Sequence, residues 1–237
     1  MAVEQGGALV CLPTYNEREN VVPLLDELLA TAAVDVLVID DNSPDGTGSV
    51  ASHYASRQPR VQVLARPRRL GIGSAYRAGF GWALERGYRF VVEMDADFSH
   101  QPRHLPELLR AADGADVVLG SRYLEGGAIE NWGLGRRVLA RSGSRYARAV
   151  LGLPYGDLTC GFKVFRREVL QAIDLPTVQT DGYAFQIELT YRAWRKGFRI
   201  REVPIVFFER TAGRSKLGAG GVAHAATQAL RMRWRDR

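Results

Sequence analysis

Along the first half of the chain, short uninterrupted apolar runs alternate with longer stretches in which apolar positions recur every three or four residues. The runs Ala8–Leu12, Asp35–Ile39, Val61–Leu64, Phe90–Met94 and Asp116–Leu119 predict strands. The periodic stretches Asn20–Ala30, Thr47–Arg57, Gly73–Arg86 and Pro102–Ala111 predict helices between them. Strands without polar alternation are buried on both faces, and alternation with helices builds βαβ units. Further strands at Lys163–Phe165 and Ile200–Phe208 complete a mixed sheet. The fold class is therefore α/β, a Rossmann-like single domain with a mostly parallel central sheet flanked by helices. Its bounds are residues 8–217, with an N-terminal tail at 1–7 and a basic amphipathic tail at 218–237.

Ligands of such sheets collect at the carboxyl ends of the strands, and the polar residues bunch there. Pro13-Thr-Tyr-Asn-Glu17 follows the first strand, Asp40-Asp-Asn-Ser43 the second and Asp95-Ala-Asp97 the fourth. Carboxylates gathered at one edge repel one another unless a cation or the donors of a ligand offset them. Asp95 and Asp97 suit Mg²⁺ or Mn²⁺, hard ions that complete their shell with water and substrate phosphate. Taken alone, Asp-x-Asp is more commonly a solvated loop. Asp40 or Asp41 is suited to accept hydrogen bonds from a nucleobase or ribose, and the same run also reads as a turn that caps the next helix. The dinucleotide fingerprint G-x-G-x-x-G is missing after the first strand, which argues against hydride transfer. Gly71-Ile-Gly73 either lets the backbone approach a ligand or starts a helix.

With 237 residues, 46% of them hydrophobic, the chain can bury a sizeable core. The net charge of +6 is carried by arginine, since only Lys163, Lys196 and Lys216 are lysines. Arginine favours bidentate contact with phosphate. The balance suits nucleic acid, an anionic membrane or a phosphorylated small molecule, but carboxylates at the ligand edge would repel a nucleic acid. Cys11 and Cys160 lack metal-ligand spacing and read as buried free thiols. No run approaches the ~18 apolar residues of a membrane span, and the start does not read as a secretory signal. The expected location is cytoplasmic. Between Leu134 and Leu151, Arg137, Arg141, Arg145 and Arg148 fall on one helical stripe, with Val138, Leu139, Tyr146, Ala149 and Val150 beside or opposite. This is either a membrane-facing basic amphipathic helix or a packed helix with a solvated basic face. The tail repeats the pattern: glycines 218, 220 and 221 suggest a hinge, followed by Val222, Ala226, Ala229, Leu230 and Trp234 at near-helical spacing. It reads as an interfacial helix, a packed helix or a frayed end.

Several runs together resemble the nucleotide-sugar domain of family 2, GT-A type glycosyltransferases. They are Leu12-Pro-Thr-Tyr-Asn-Glu17, Val38-Ile-Asp-Asp-Asn-Ser-Pro-Asp-Gly46, Gly71-Ile-Gly73, Glu93-Met-Asp-Ala-Asp97 and Gly120-Ser-Arg122. Four more, Asp157-Leu-Thr-Cys-Gly-Phe162, Gly182-Tyr-Ala-Phe-Gln-Ile-Glu188, Glu202-Val-Pro204 and Arg210-Thr-Ala-Gly-Arg-Ser-Lys216, are similar to the polyprenol (dolichol) phosphate mannose synthases. The resemblance implies metal-dependent transfer of mannose from GDP-mannose to a membrane polyprenyl phosphate, with inversion. UDP-glucose is the alternative donor, and a basic nucleic-acid-binding module the alternative of another class. By the same resemblance Pro13, Tyr15, Glu17 and Asp41 hold the guanosine, and Asp95, Ala96 and Asp97 hold the metal and diphosphate. Arg122 lies beside the donor, and Arg210 and Lys216 clamp phosphate. Asp40 and Gly71 join the donor set, while Arg122, Arg136, Arg137 and Arg141 take the acceptor phosphate. Where some relatives carry a ligating glutamine this chain has Ser99, so the third metal ligand is open among Ser99, His100, Gln101 and water.

The catalytic candidates are Asp97, Arg122, Asp157 and Glu188. The last two are suited to orient the arginines or the sugar, and read equally as a helix cap or a paired surface charge. A phosphate nucleophile is already anionic near neutrality and needs no general base. His53, His100, His104 and His224 read accordingly as loop or helix-face residues. No transmembrane anchor is expected, so membrane contact is peripheral, at the cytoplasmic face, or aided by a membrane-protein partner.

Overall fold

A computed structural model of the protein describes residues 7–209 and 219–235. Its main sheet has seven strands in the order β3-β2-β1-β4-β7-β5-β8. In chain order these are β1 (Ala8–Thr14), β2 (Asp35–Asp40), β3 (Val61–Ala65), β4 (Phe90–Glu93), β5 (Val117–Ser121), β7 (Lys163–Arg166) and β8 (Ile200–Pro204). The pairings of β1 with β2 and β4, β2 with β3, and β5 with β8 are parallel. β7 alone runs antiparallel, inserted between β4 and β5. A second, two-stranded sheet joins β6 (Ala128–Ile129) to β9 (Val206–Phe207). The single strand expected over Ile200–Phe208 is therefore two, broken at the fully buried Ile205 and divided between the sheets.

Alternation along β1 explains the layers. Val10 and Leu12 face α1 (Arg18–Thr31), α2 (Thr47–Ala55) and α4 (Leu105–Ala111), where they pack with Leu24, Leu25, Leu28 and Leu108. Leu9 and Cys11 face the opposite layer, α3 (Ile72–Glu85), α6 (Arg167–Ala172) and α7 (Gly182–Arg195), and pack with Phe80, Phe165 and Leu189. Tyr76 stacks between Phe80 and Phe185, with ring centroids 5.8 and 5.9 Å away, and so binds α3 to α7. A third cluster lies outside the sheet, where α5 (Leu134–Leu151) and α8 (Ala219–Arg235) pack on α7 through Ala147, Leu151, Ile187, Tyr191, Ala225, Ala229 and Met232.

Of the glycines expected to form a hinge, 220 and 221 are helical residues of α8, and Gly218 lies outside the described residues. The buried face of α8 is Ala225, Ala229 and Met232, so Leu230 and Trp234 lie outside, Trp234 being 77% exposed. On α5 the residues that face inward are Ser144, Ala147 and Leu151. Leu134, Val138 and Leu139 share the exposed side with Arg137, Arg141 and Arg145. Among the described residues no helix is long and apolar enough to cross a membrane.

Candidate active site

The carboxyl ends of β1, β2 and β4 open on one side of the sheet, and three adjoining cavities line up there. The first, about 280 Å³, is bounded by Pro13, Tyr15, Glu17, Asp41, Arg69 and Gly71, by Asp95, Ala96 and Asp97, and by Asp181 and Gly182 across the cleft. The second, about 70 Å³, shares Asp95 and Asp97 with it and adds Ser99, His100, Arg122, Arg136, Thr159 and Tyr183. The third is a groove of about 730 Å³ in which Arg122, Arg136, Thr159 and Tyr183 recur beside Leu139, Tyr146, Ile187 and alanines of α8. The cavities thus run from a polar cleft, through an acidic centre and an arginine pair, into an apolar groove.

At the polar end Arg69 lies over the Tyr15 ring, 4.6 Å from its centroid. Asp41 is fixed by Arg66 Nη1 at 2.7 Å and by the Leu70 amide at 2.9 Å, which ties the end of β2 to the loop before α3. Asp40 lies elsewhere. Its carboxylate accepts from Thr14 Oγ1, Ser43 N and Ser43 Oγ at 2.9, 3.0 and 2.6 Å. It braces the turn after β2 and does not line the cleft, which corrects the expectation of a donor contact. Gly71 has φ +90°, and a Cβ there would press on the Asp181 carboxylate, so the turn favours glycine.

The acidic centre is a tight loop. Asp97 Oδ1 accepts from the Ser99 amide at 3.0 Å, and Phe98 between them has φ +60°, a costly conformation for an aromatic residue and one that collects at functional sites. His100, expected as a loop or helix-face residue, is 1% exposed between Phe162 and Phe207. Its Nδ1 accepts from the Asp95 amide at 3.2 Å, and its Nε2 lies 3.6 Å from Cys160 Sγ. Burial lowers its pKa to about 4, so the ring is neutral and braces the loop. Cys11 and Cys160 are both buried free thiols, and burial pushes Cys160 up to about 12.

The fit to a divalent cation is of the open kind. Among the described residues no group of three or more His, Cys, Asp and Glu side chains is arranged to hold a metal. Beside the Asp95–Asp97 pair, the Ser99 hydroxyl is buried without a hydrogen-bond partner. Two carboxylates and a free hydroxyl suit a cation that takes its remaining ligands from water and phosphate.

Arg122, directly after β5, is a buried and firmly held cation. Its Nε and Nη2 form a bidentate pair with Asp157 at 2.6 and 2.7 Å, and Nη2 also reaches Thr159 Oγ1 at 2.8 Å. Asp157 is fully buried, and its loop is pinned by Glu202 of β8, which accepts from the Gly156 and Asp157 amides at 2.9 and 3.0 Å. Burial pushes the Asp157 carboxyl up, but the Arg122 guanidinium and the hydrogen bonds outweigh it and hold the pKa below the ordinary value. Nη1 of Arg122 makes no hydrogen bond among the described residues, so that nitrogen still has donors to offer a ligand. Arg136 lies over Trp132 at 3.9 Å and pairs with Glu209 at 2.9 Å.

Other candidates fall away from the centre. Arg137 and Arg141 are exposed on α5 and line none of the three cavities. Arg141 lies over Tyr123 at 5.6 Å. Glu188 is buried in α7, paired with Arg192, and lines none of the three cavities. Arg210 and Lys216 lie outside the described residues. Sequence reasoning passed over Thr159, Tyr183, Trp132, Arg69 and Asp181. Thr159 and Tyr183 stand inside motifs already singled out, whereas Trp132 and Asp181 carried no local signal.

Residues 9–174 match the family model "Glycosyl transferase family 2". The chain is 49% identical over 220 residues to a polyprenol monophosphomannose synthase of Mycolicibacterium smegmatis, covering 92% of this chain and 83% of that one. It is 48% identical over 224 residues to an undecaprenyl-phosphate mannosyltransferase of Micrococcus luteus, covering 94% and 92%. Among solved structures it is similar to a glucosyl-3-phosphoglycerate synthase of Mycobacterium tuberculosis in complex with Mn²⁺, UDP and glucosyl-3-phosphoglycerate. There the TM-score is 0.68 at 20% identity, over 96% of this chain and 79% of that one. That likeness establishes the fold as a GT-A-like α/β domain.

Proposed function

Because the chain belongs to glycosyl transferase family 2, and is nearly half identical to two polyprenyl-phosphate mannosyltransferases along almost its whole length, we propose that it transfers mannose from GDP-mannose to polyprenyl phosphate with inversion. One observation carries the reading: a polar cleft, an acid pair, an arginine pair and an apolar groove follow one another in a continuous line. That is the order in which nucleoside, diphosphate, lipid phosphate and hydrocarbon would lie.

Pro13, Tyr15, Glu17, Asp41 and Gly71 hold the nucleoside in this reading, with Arg210 and Lys216 as further phosphate contacts. Asp95 and Asp97, with Ser99, would hold Mg²⁺ or Mn²⁺, which neutralises charge on the departing diphosphate when bound. Arg122 and Arg136 receive the acceptor phosphate. Asp157 keeps Arg122 charged and aimed, so the phosphate meets a fixed donor edge. The phosphate oxygen attacks the anomeric carbon from the face opposite the leaving diphosphate. A new C–O bond forms as the old one breaks, and no proton need be removed, because the nucleophile is already an anion. Neutral His100 is consistent with this economy.

The first isoprene units enter the apolar groove. The exposed arginines and apolar side chains of α5, with Leu230 and Trp234 of α8, are the surface that we assign to an anionic membrane, and α8 is part of the catalytic body. The test is extraction of labelled lipid after incubation with GDP-mannose or UDP-glucose and polyprenyl phosphate, with and without chelator. Transfer from GDP-mannose, lost with chelator, is expected. Transfer from UDP-glucose instead would replace the donor, and none from either would overturn the reading.

A further inference from the structure

The buried carboxylate of Glu188 has work that the reaction itself does not explain. It is 2% exposed, yet sits in the middle of α7, away from the three cavities. Arg192 donates to Oε1 through Nε at 2.9 Å, and Arg235 of α8 approaches the same oxygen at 3.4 Å. The other oxygen, Oε2, accepts from Thr180 Oγ1 at 2.6 Å. Thr180 precedes Asp181, whose Oδ1 accepts from the Gly73 amide in the first turn of α3 at 2.6 Å. The main chain is equally close here, since a Cβ on Gly73 would lie 2.8 Å from the Thr180 carbonyl oxygen. Gly71, Ile72, Asp181 and Gly182 together line the polar cleft opposite Tyr15 and Glu17.

We infer that Glu188 is a positioning residue: by holding Thr180 it fixes Asp181 against the Gly71–Gly73 turn and so sets the wall of the nucleotide cleft that faces Tyr15. The inference rests on the reading of that cleft as the donor site. A hydroxyl bonded to a buried carboxylate is a short, directional tie, and it anchors the segment before α7 to α7 itself, while Asp181 carries the link on to the first turn of α3. Without it, Thr180 and Asp181 are held, among the described residues, by the Asp181–Gly73 bond and a long contact from Arg77 Nη1 to the Thr180 carbonyl, at 3.5 Å.

Glu188→Ala would strand Arg192 and threaten folding, so the test uses Thr180→Val, which matches threonine in size and lacks only the donor. Binding of GDP in the presence of Mn²⁺ is measured by calorimetry, and KM for each substrate by initial rates. The expected result is a dissociation constant and a donor KM raised about tenfold, the worth of one charge-assisted hydrogen bond. The acceptor KM should stay unchanged, and Thr180→Ser should return GDP binding to within about twofold of the natural protein. Unaltered GDP binding in Thr180→Val, or an equal rise in both KM values, overturns the inference while leaving the donor reading intact. Failure of the natural protein to bind GDP overturns both.

Discussion

Arg122 shows how a single side chain is made useful by its surroundings. An isolated guanidinium with 5% exposure would be costly to bury, and Asp157 offsets the cost by a bidentate pair. Asp157→Asn should therefore destabilise the fold by about 3–5 kcal/mol, the usual penalty for breaking a buried pair, read by urea unfolding. The pH dependence has a definite sign. Because the folded pKa of Asp157 lies below its unfolded value, its contribution is full above about pH 4 and is lost as pH falls through the folded pKa. Acid unfolding of Asp157→Asn should accordingly show a flatter limb below about pH 4 than that of the natural protein. Asp97→Ala, at the acidic centre, should cut transfer by about 10²-fold or more with the fold retained, measured as labelled lipid formed against circular dichroism. His100 is the residue whose sequence context misled. Its neighbours in the chain are loop-like, but Phe162 and Phe207, which bury it, come from 62 and 107 positions farther on. Local sequence carries no trace of such packing.

Among the elements, the Gly71–Gly73 turn joins α3 to the cleft and tolerates least. Gly71→Ala forces a Cβ into Asp181 and a positive φ on alanine, and should cost about 1–2 kcal/mol together with weaker GDP binding, measured by unfolding and calorimetry. The parallel strands were legible because burial on both faces writes a continuous apolar run, and β1, β2 and β4 are such runs. The three acidic clusters were legible for a related reason, since chain order alone puts the ends of parallel strands on one edge. The helices were less so where their contacts are remote. A wheel drawn on α5 finds the arginine stripe, but it gives no sign that small residues, Ser144 and Ala147, face the protein while Leu134 and Val138 face outward. Nor does it show which arginine meets the site. Arg136 lines two cavities and Arg137 lines none, a difference of one position that only the placement of α5 against α7 and α8 decides.

Taken whole, the molecule sets its polar cleft on the sheet and its apolar groove on the α5–α7–α8 cluster, so in the proposed reading the two substrates meet where the sheet ends. Arg137, Arg141 and Arg145 belong to the outer surface. Replacing all three by alanine should weaken sedimentation with anionic vesicles by about tenfold or more at low salt, while GDP affinity is unchanged. The sheet order carries a consequence for how the chain is made. β4 and β5 are joined only through β7, which comes about 70 residues after β4, so a chain growing from its N-terminus completes β3-β2-β1-β4 first and waits with one edge of β4 bare. A bare apolar edge invites pairing with another chain. Here the edge carries Glu93, and the strand that must fill it brings Lys163 to the opposite place in the register. In the finished core burial pushes the Glu93 carboxyl up and the Lys163 ammonium down, each opposed by the other's charge. A charge on a waiting edge discourages stray apolar strands, and a complementary charge opposite it in the register favours the strand that belongs.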